Sequence, residues 1–267
     1  METDNKLVTC AVDARGIARV TLNRPEKHNA FDDSMIQALH QIFSTLEEDT
    51  RVRVVVLQAS GKSFSAGADA AWMKRMAAYS VEENQRDALA LATMLEKLNH
   101  LSKPTIARVQ GAAFGGAIGL IACCDMAIGT RLSKFCLSEV RIGLIPATIS
   151  PYVIAAMGAR VCRRYFQTAE MFSARRARRL GLLSEVVAEA ELDDAIDGLI
   201  TALLGNGPAA MARAKTLVHD MTLLPVSQQL MEETSQRIAD IRVSEEGQEG
   251  LSAFLEKRRP AWQETSE

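Results

Sequence analysis

Glu139 is the residue of this chain whose surroundings could make a proton carrier. It stands between Ser138 and Val140 in a segment otherwise built of Phe135, Leu137, Ile142, Leu144 and Ile145. A carboxylate among apolar side chains is driven toward its neutral form, which raises its pKa toward the range useful for proton transfer at neutral pH. Upstream, Gln110-Gly111-Ala112-Ala113-Phe114-Gly115-Gly116-Ala117-Ile118-Gly119-Leu120 follows an apolar β-branched run and opens a small-residue helix. Paired glycines at a strand-to-helix junction leave backbone N–H groups uncovered at the positive end of a helix dipole, where an oxyanion is stabilised. A second small-residue loop, Gly61-Lys62-Ser63-Phe64-Ser65-Ala66-Gly67-Ala68-Asp69, lies between an apolar run and another helix. Its small side chains let a ligand approach the main chain. Each feature has an ordinary structural explanation: glycine pairs permit close helix packing, and a lone Glu often ends a strand facing water. The two loops and the carboxylate together point to anion stabilisation coupled to proton transfer.

The elements that must position these groups follow from periodicity. Residues 7–12 and 17–22 alternate as two strands joined by Asp13-Ala14-Arg15-Gly16. Residues 33–48 carry Met35, Ile36, Leu39, Ile42, Phe43 and Leu46 on one helical face. Residues 52–59 and 105–109 are nearly continuous β-branched runs, as expected of parallel strands covered on both faces. Ser80-Val81-Glu82-Glu83 has the form of a capping box for a helix reaching about residue 101, stopped by Ser102-Lys103-Pro104. Beyond Glu139, helices are expected from Ser150-Pro151, over 160–168 and over 173–180, then a short strand at 185–187. After Asp193 only helical periodicity remains, broken at Gly205-Asn206-Gly207-Pro208 and at Pro225. These patterns predict an α/β core over residues 1–200 and a helical C-terminal region over 201–267.

With 267 residues, 48% hydrophobic and 24% charged, the chain can bury a full core. The formal net charge of −2 offers no general attraction to nucleic acid or membrane. Arginines cluster at Arg160, Arg163, Arg164 and at Arg175, Arg176, Arg178, Arg179, a pattern of solvated helix faces or subunit contacts more than of a nucleic-acid surface. The five cysteines show neither framework spacing nor a C-x-x-C motif, and the four histidines are scattered, so neither disulfides nor a metal is expected. The polar start, with no signal peptide and no membrane-length apolar run, suits a cytoplasmic protein.

Phe64-Ser65-Ala66-Gly67-Ala68-Asp69, Gln110-Gly111 with Gly115-Gly116, and Ser138-Glu139 with Gly143 and Pro146 together resemble the crotonase superfamily of enoyl-CoA hydratases and isomerases. Asn23-Arg24-Pro25, Asn29-Ala30 and Phe254-Leu255-Glu256-Lys257-Arg258-Arg259-Pro260 match it too, so the resemblance covers about residues 7–262. It implies a spiral of ββα units with a helical C-terminal region that trimerises, often as a dimer of trimers. It implies an acyl-CoA substrate and no separate cofactor. By the same resemblance the N–H groups of Ala68 and Gly116 hold the thioester oxygen and Glu139 moves the proton. Lys27, Ala30, Ala66, Gly67, Asp69, Ala70, Trp72 and Lys257 are the implied substrate-binding set, with the two lysines on the CoA phosphates and adenine side. Trp72 and Met73 either line the acyl pocket or belong to the core.

One departure bears on mechanism. Hydratases of this superfamily typically carry a first glutamate shortly after the glycine pair, where this chain has Gly119. A single carboxylate suffices for a 1,3-proton shuttle, so an isomerase stands beside a hydratase. The segment from Ser138 to Tyr152, with Gly119 and Cys123-Cys124-Asp125, is similar to the bacterial methylglutaconyl-CoA and carboxygeranoyl-CoA hydratase branch, which serves leucine and acyclic-terpene breakdown. That similarity favours hydration of a branched enoyl-CoA. An inert acyl-CoA-binding or assembly subunit is a third reading.

Overall fold

The structure, a computed structural model, describes residues 3–5 and 7–263. In chain order its elements are β1 (Thr3–Asn5), β2 (Val8–Val12), β3 (Ile17–Leu22), α1 (Asp33–Glu48), β4 (Val54–Ala59), α2 (Ala70–Met76), α3 (Val81–Asn99), β5 (Thr105–Val109), β6 (Ala112–Phe114), α4 (Gly116–Cys123), β7 (Met126–Thr130) and β8 (Lys134–Cys136). Then come α5 (Ser150–Met157), α6 (Ala159–Thr168), β9 (Phe172–Ser173), α7 (Ala174–Arg179), β10 (Glu185–Val187), α8 (Leu192–Leu204), α9 (Pro208–Met221), α10 (Gln228–Val243) and α11 (Glu245–Glu256).

A seven-stranded sheet runs in the order β1-β2-β3-β4-β5-β7-β10. Its first three strands form an antiparallel meander, and every pairing from β3 onward is parallel. The turn into β3 is set by Asp13, whose Oδ1 accepts from the N–H groups of Arg15 (2.9 Å) and Ile17 (3.0 Å). The near-continuous apolar run of β4 has its expected cause. Val55 and Leu57 face a core shared with α1, α3 and α4, while Val54 and Val56 face Ile196 and Ile200 of α8 on the other side. A second sheet of three strands, β6-β8-β9, stands apart and carries the parallel pairing of β6 with β8.

Three expectations need correction. Residues 112–114, read as the approach to a helix, form β6, because Phe114 N–H and Ala112 C=O pair with Ser65 of the other loop. Glu139 lies not in a strand but at the start of a 3-10 turn, Glu139–Ile142, after β8 has ended at Cys136. The boundary at residue 200 falls inside α8, which packs Leu192, Ile196 and Ile200 against the sheet; the change of character comes at Gly205-Asn206-Gly207-Pro208. Beyond it, α9 and α10 bury no residue within the chain. Among the described residues no helix is long and apolar enough to cross a membrane.

Candidate active site

The two small-residue loops are stitched side by side by main-chain hydrogen bonds. Phe64 N–H donates to Gln110 C=O (2.8 Å), Ser65 N–H to Ala112 C=O (3.0 Å), and Phe114 N–H returns to Ser65 C=O (3.0 Å). This short parallel bridge brings the residues that follow each loop together, although they lie nearly fifty positions apart. On the far side of the first loop, Phe31 N–H donates to Gly67 C=O and Asp69 N–H donates to Phe31 C=O, each at 2.7 Å. Because the bonds of an extended chain alternate sides, the Ala68 N–H between them is turned away from Phe31, toward the second loop. Gly67 has φ +98°, a conformation that an L side chain rarely adopts, so the turn requires glycine there.

The second donor is Gly116 N–H, the first residue of α4. Gly115 N–H is taken by Cys136 C=O (2.9 Å) and Ile118 N–H by Gly115 C=O (2.9 Å), whereas neither Ala68 nor Gly116 N–H has a protein acceptor among the described residues. Two free N–H groups, one at a helix N-terminus, are the requirement for holding an oxyanion.

Glu139 completes the arrangement. Its Oε1 lies 3.2 Å from the position a Cβ on Gly115 would occupy, which places the carboxyl against the first glycine of the pair. Gly115 has φ +54° with ψ −124°, a backbone conformation that restricts the position to glycine, and a Cβ there would press on this carboxyl. Burial raises the Glu139 pKa, opposed only by its own backbone hydrogen bond. Its Oε2 is buried without a hydrogen-bond partner, which leaves one carboxyl oxygen for a ligand.

Gly119 lies on the next turn of α4, and the space a side chain would need there is occupied. A Cβ at 119 would stand 2.3 Å from Cγ2 and 2.8 Å from Cβ of Ile149. The position is not open space: buried Ile149 fills it. Ile149 is the site residue that the sequence reading missed, since nothing in its spacing ties it to residue 119.

The remaining expected residues divide. Ala66, Ala68 and Ala70 are exposed while Gly67 and Asp69 are buried, so the three alanines share one face of the loop. Ala30 is half-buried and its loop is fixed by Asn29, fully buried, whose side chain donates to Ser60 and Ser63 C=O (both 2.9 Å) and accepts from Arg24 N–H (2.8 Å). Asp69 is the N-cap of α2, with Oδ1 accepting from Ala71 N–H (2.8 Å) and Trp72 N–H (3.3 Å). Its Oδ2 is paired with Lys27 Nζ and Arg24 Nη2, each at 3.0 Å. The hydrogen bond from Lys27 is the foremost cause holding the Asp69 pKa below the usual carboxylate range, ahead of the two backbone donors and Arg24. Trp72 is 6% exposed, belongs to the main core and donates Nε1–H to Asp87 (3.2 Å). Lys257, exposed at the left-handed end of α11, has no hydrogen bond or ion pair to these loops among the described residues. A cavity of about 850 Å³ lies at the other end of α4, between Cys123, Tyr152 and the α9 residues Lys215 and His219, and none of the three central groups lines it.

Two free backbone donors and a buried carboxylate beside Gly115 have the chemistry to stabilise a developing oxyanion and to move a proton, and sequence comparison assigns the chain to a family. The chain belongs to the enoyl-CoA hydratase/isomerase family, whose profile matches residues 13–265. An enoyl-CoA hydratase from Shewanella pealeana superposes with a TM-score of 0.93 at 47% identity, covering 96% of each chain. An enoyl-CoA hydratase of Mycobacterium smegmatis gives 0.90 at 35% identity, over 97% of this chain and 99% of that one. A short-chain-enoyl-CoA hydratase of Clostridium acetobutylicum is 28% identical over 245 residues, 91% of this chain and 92% of its own length. The crotonase-type α/β architecture expected from the sequence is thereby established, and the chain is an enzyme of that superfamily.

Proposed function

We propose that the protein hydrates the 2,3 double bond of an enoyl-CoA, with a branched acyl group such as 3-methylglutaconyl as its substrate. The observation that carries this reading is the Glu139 carboxyl, pKa raised and one oxygen unpartnered, held over Gly115 beside the Gly116 donor. The thioester oxygen accepts hydrogen bonds from Ala68 and Gly116 N–H. As Glu139 takes a proton from water, the hydroxide oxygen bonds to C3, the C2–C3 π electrons move toward the carbonyl and charge collects on the thioester oxygen. The protonated Glu139 then delivers that proton to C2, and water has been added with the carboxylate restored. Donors fixed in place before the reaction are worth about 3–4 kcal/mol each in comparable oxyanion holes. The acyl preference rests on the similarity of residues 138–152 to the branched-substrate hydratases, and that similarity supports a role in the breakdown of leucine or acyclic terpenes.

Lys27, half-exposed beside the first loop, takes a CoA phosphate, and Ala30, Ala66, Gly67, Asp69 and Ala70 form the wall against which the nucleotide lies, with Trp72 behind it. Lys257 serves a neighbouring subunit's CoA in a trimer or dimer of trimers. The unburied α9 and α10, with Val218, Ile238 and Val243 exposed, and the connection between them, with Leu223 and Val226 exposed, supply the apolar surface such an assembly needs.

A second reading is kept by Ile149: with the space at Gly119 filled, Glu139 alone carries protons, which is sufficient for moving one from C2 to C4. Incubation with crotonyl-CoA, 3-methylglutaconyl-CoA and a 3-enoyl-CoA, with products separated by chromatography and identified against 2-enoyl, 3-enoyl and 3-hydroxyacyl standards, distinguishes them. A 3-hydroxyacyl product supports the hydratase. A 2-enoyl product from the 3-enoyl substrate alone supports the isomerase. CoA binding without turnover of any would leave an inert binding subunit.

A further inference from the structure

Asp69 stands one residue from the Ala68 donor, and a carboxylate so near a developing oxyanion opposes it unless neutralised. Two cations do so, and they differ. Arg24 is 11% exposed and spans two helix starts: Nη2 meets Asp69 of α2 at 3.0 Å and Nη1 meets Asp32, the N-cap of α1, at 2.8 Å. Lys27 meets the same Asp69 oxygen at 3.0 Å, but its side chain is 50% exposed and it has no other ion-pair partner among the described residues. The carboxylate of the Lys27 pair is buried but its ammonium end is in water and can change partners, whereas a buried guanidinium shared between two caps cannot.

We propose that Lys27 exchanges partners when substrate binds, leaving Asp69 for a CoA phosphate, and that Asp69 thereby sets the affinity for the phosphate-bearing part of the substrate while Arg24 keeps the cap neutralised. This rests on the assignment of Lys27 to a CoA phosphate. The four side chains Arg24, Lys27, Asp32 and Asp69 are balanced in charge in the free protein. A phosphate reaching Lys27 competes with Asp69 for the ammonium group, so part of the attraction is spent on breaking the existing pair. Arg24 retains its bond to Asp69, and the Asp69 oxygen that caps Ala71 and Trp72 is a different one from that which Lys27 leaves. Release of the lysine therefore does not unseat the loop that carries Ala68.

The test compares binding of the saturated thioesters butyryl-CoA and butyryl-pantetheine, which have no double bond to hydrate, by titration calorimetry. Asp69→Asn keeps a capping oxygen while removing the competing charge, and Asp69→Ser, also a capping residue, serves if the amide variant fails to fold. Either is expected to bind butyryl-CoA about 2- to 5-fold more tightly, a modest gain because the lysine end of the pair is already in water, with pantetheine affinity unmoved. Lys27→Met is expected to weaken butyryl-CoA alone, and combining it with the Asp69 substitution should abolish the gain. If Lys27→Met weakens butyryl-CoA but the Asp69 variants do not tighten it, or shift both ligands alike, partner exchange is refuted and the phosphate assignment stands. If Lys27→Met leaves butyryl-CoA unaffected, both fall.

Discussion

Placing a methyl group on Gly119 tests whether the interlock with Ile149 is as tight as its geometry states. The new Cβ would sit 2.3 Å and 2.8 Å from two carbons of Ile149, whereas carbon atoms in contact prefer about 3.5–4.0 Å. Both partners are fully enclosed, Ile149 being 2% exposed. Relief therefore requires α4 or the 143–149 loop to move, and overpacking of this kind costs about 1–3 kcal/mol. Alanine in a helix regains about 1 kcal/mol of propensity over glycine, so Gly119→Ala alone is expected to lose about 0–2 kcal/mol. The interaction itself is read from a double-mutant cycle. Ile149→Ala alone should lose about 2–5 kcal/mol through its cavity. In the double variant the methyl at 119 partly fills that cavity, so the two changes should combine to about 1–3 kcal/mol less than their sum. Urea unfolding followed by circular dichroism measures all four proteins. Additivity within about 0.5 kcal/mol would refute the contact. Gly119→Glu meets the same wall with a longer, charged side chain, so it should be poorly folded and inactive unless Ile149 is shortened as well. A Gly119→Glu protein as stable as the parent and active on crotonyl-CoA would overturn the conclusion that the slot is closed.

Glu139→Gln should lower kcat at least about 100-fold, because the amide keeps the shape but cannot carry the proton. The same substitution should stabilise the fold at neutral pH: burial raises the Glu139 pKa in the folded state, so its charged form destabilises the fold above that pKa, and the advantage of Gln should vanish below about pH 4. Thermal melts at pH 7 and pH 4 check the sign, and an advantage that grew on acidification would contradict it. Arg24→Met strips a buried partner from two capping carboxylates and should cost about 3–5 kcal/mol in denaturant unfolding; a loss below about 1 kcal/mol would mean that the caps hold without it. Sedimentation at micromolar concentration should show a multiple of three chains, with Val226→Asp or Ile238→Asp shifting it toward smaller species, whereas a single-chain mass for the parent would remove the assembly.

Much of the frame was legible because it depends on local pattern. The edges of β3, α1, β5 and β10 fall where alternation, helical spacing and apolar runs place them, and the capping box at Ser80 forms as its spacing requires. What escaped the pattern depends on distant partners. β6 is three residues of Ala-Ala-Phe whose extended form is fixed by Ser65, and Glu139 leaves the strand because β8 ends where its pairing with β6 ends.

The sequence by itself determined which groups could do chemistry: small residues that leave main-chain donors uncovered, and a carboxylate among apolar neighbours. Side-chain type and short-range spacing carry that information, since a missing Cβ or a buried charge acts wherever the backbone goes. Only the tertiary structure decided which of these groups meet and which are already engaged. Asp69 and Lys27 look alike as candidates for ligand binding, yet one caps a helix and the other is its exposed counter-ion. Gly119 reads only as a missing glutamate, and Ile149, thirty residues away, fills the space beside it. Contacts across such separations arise from how elements pack, and no periodicity in the chain encodes which side chain will occupy a given space.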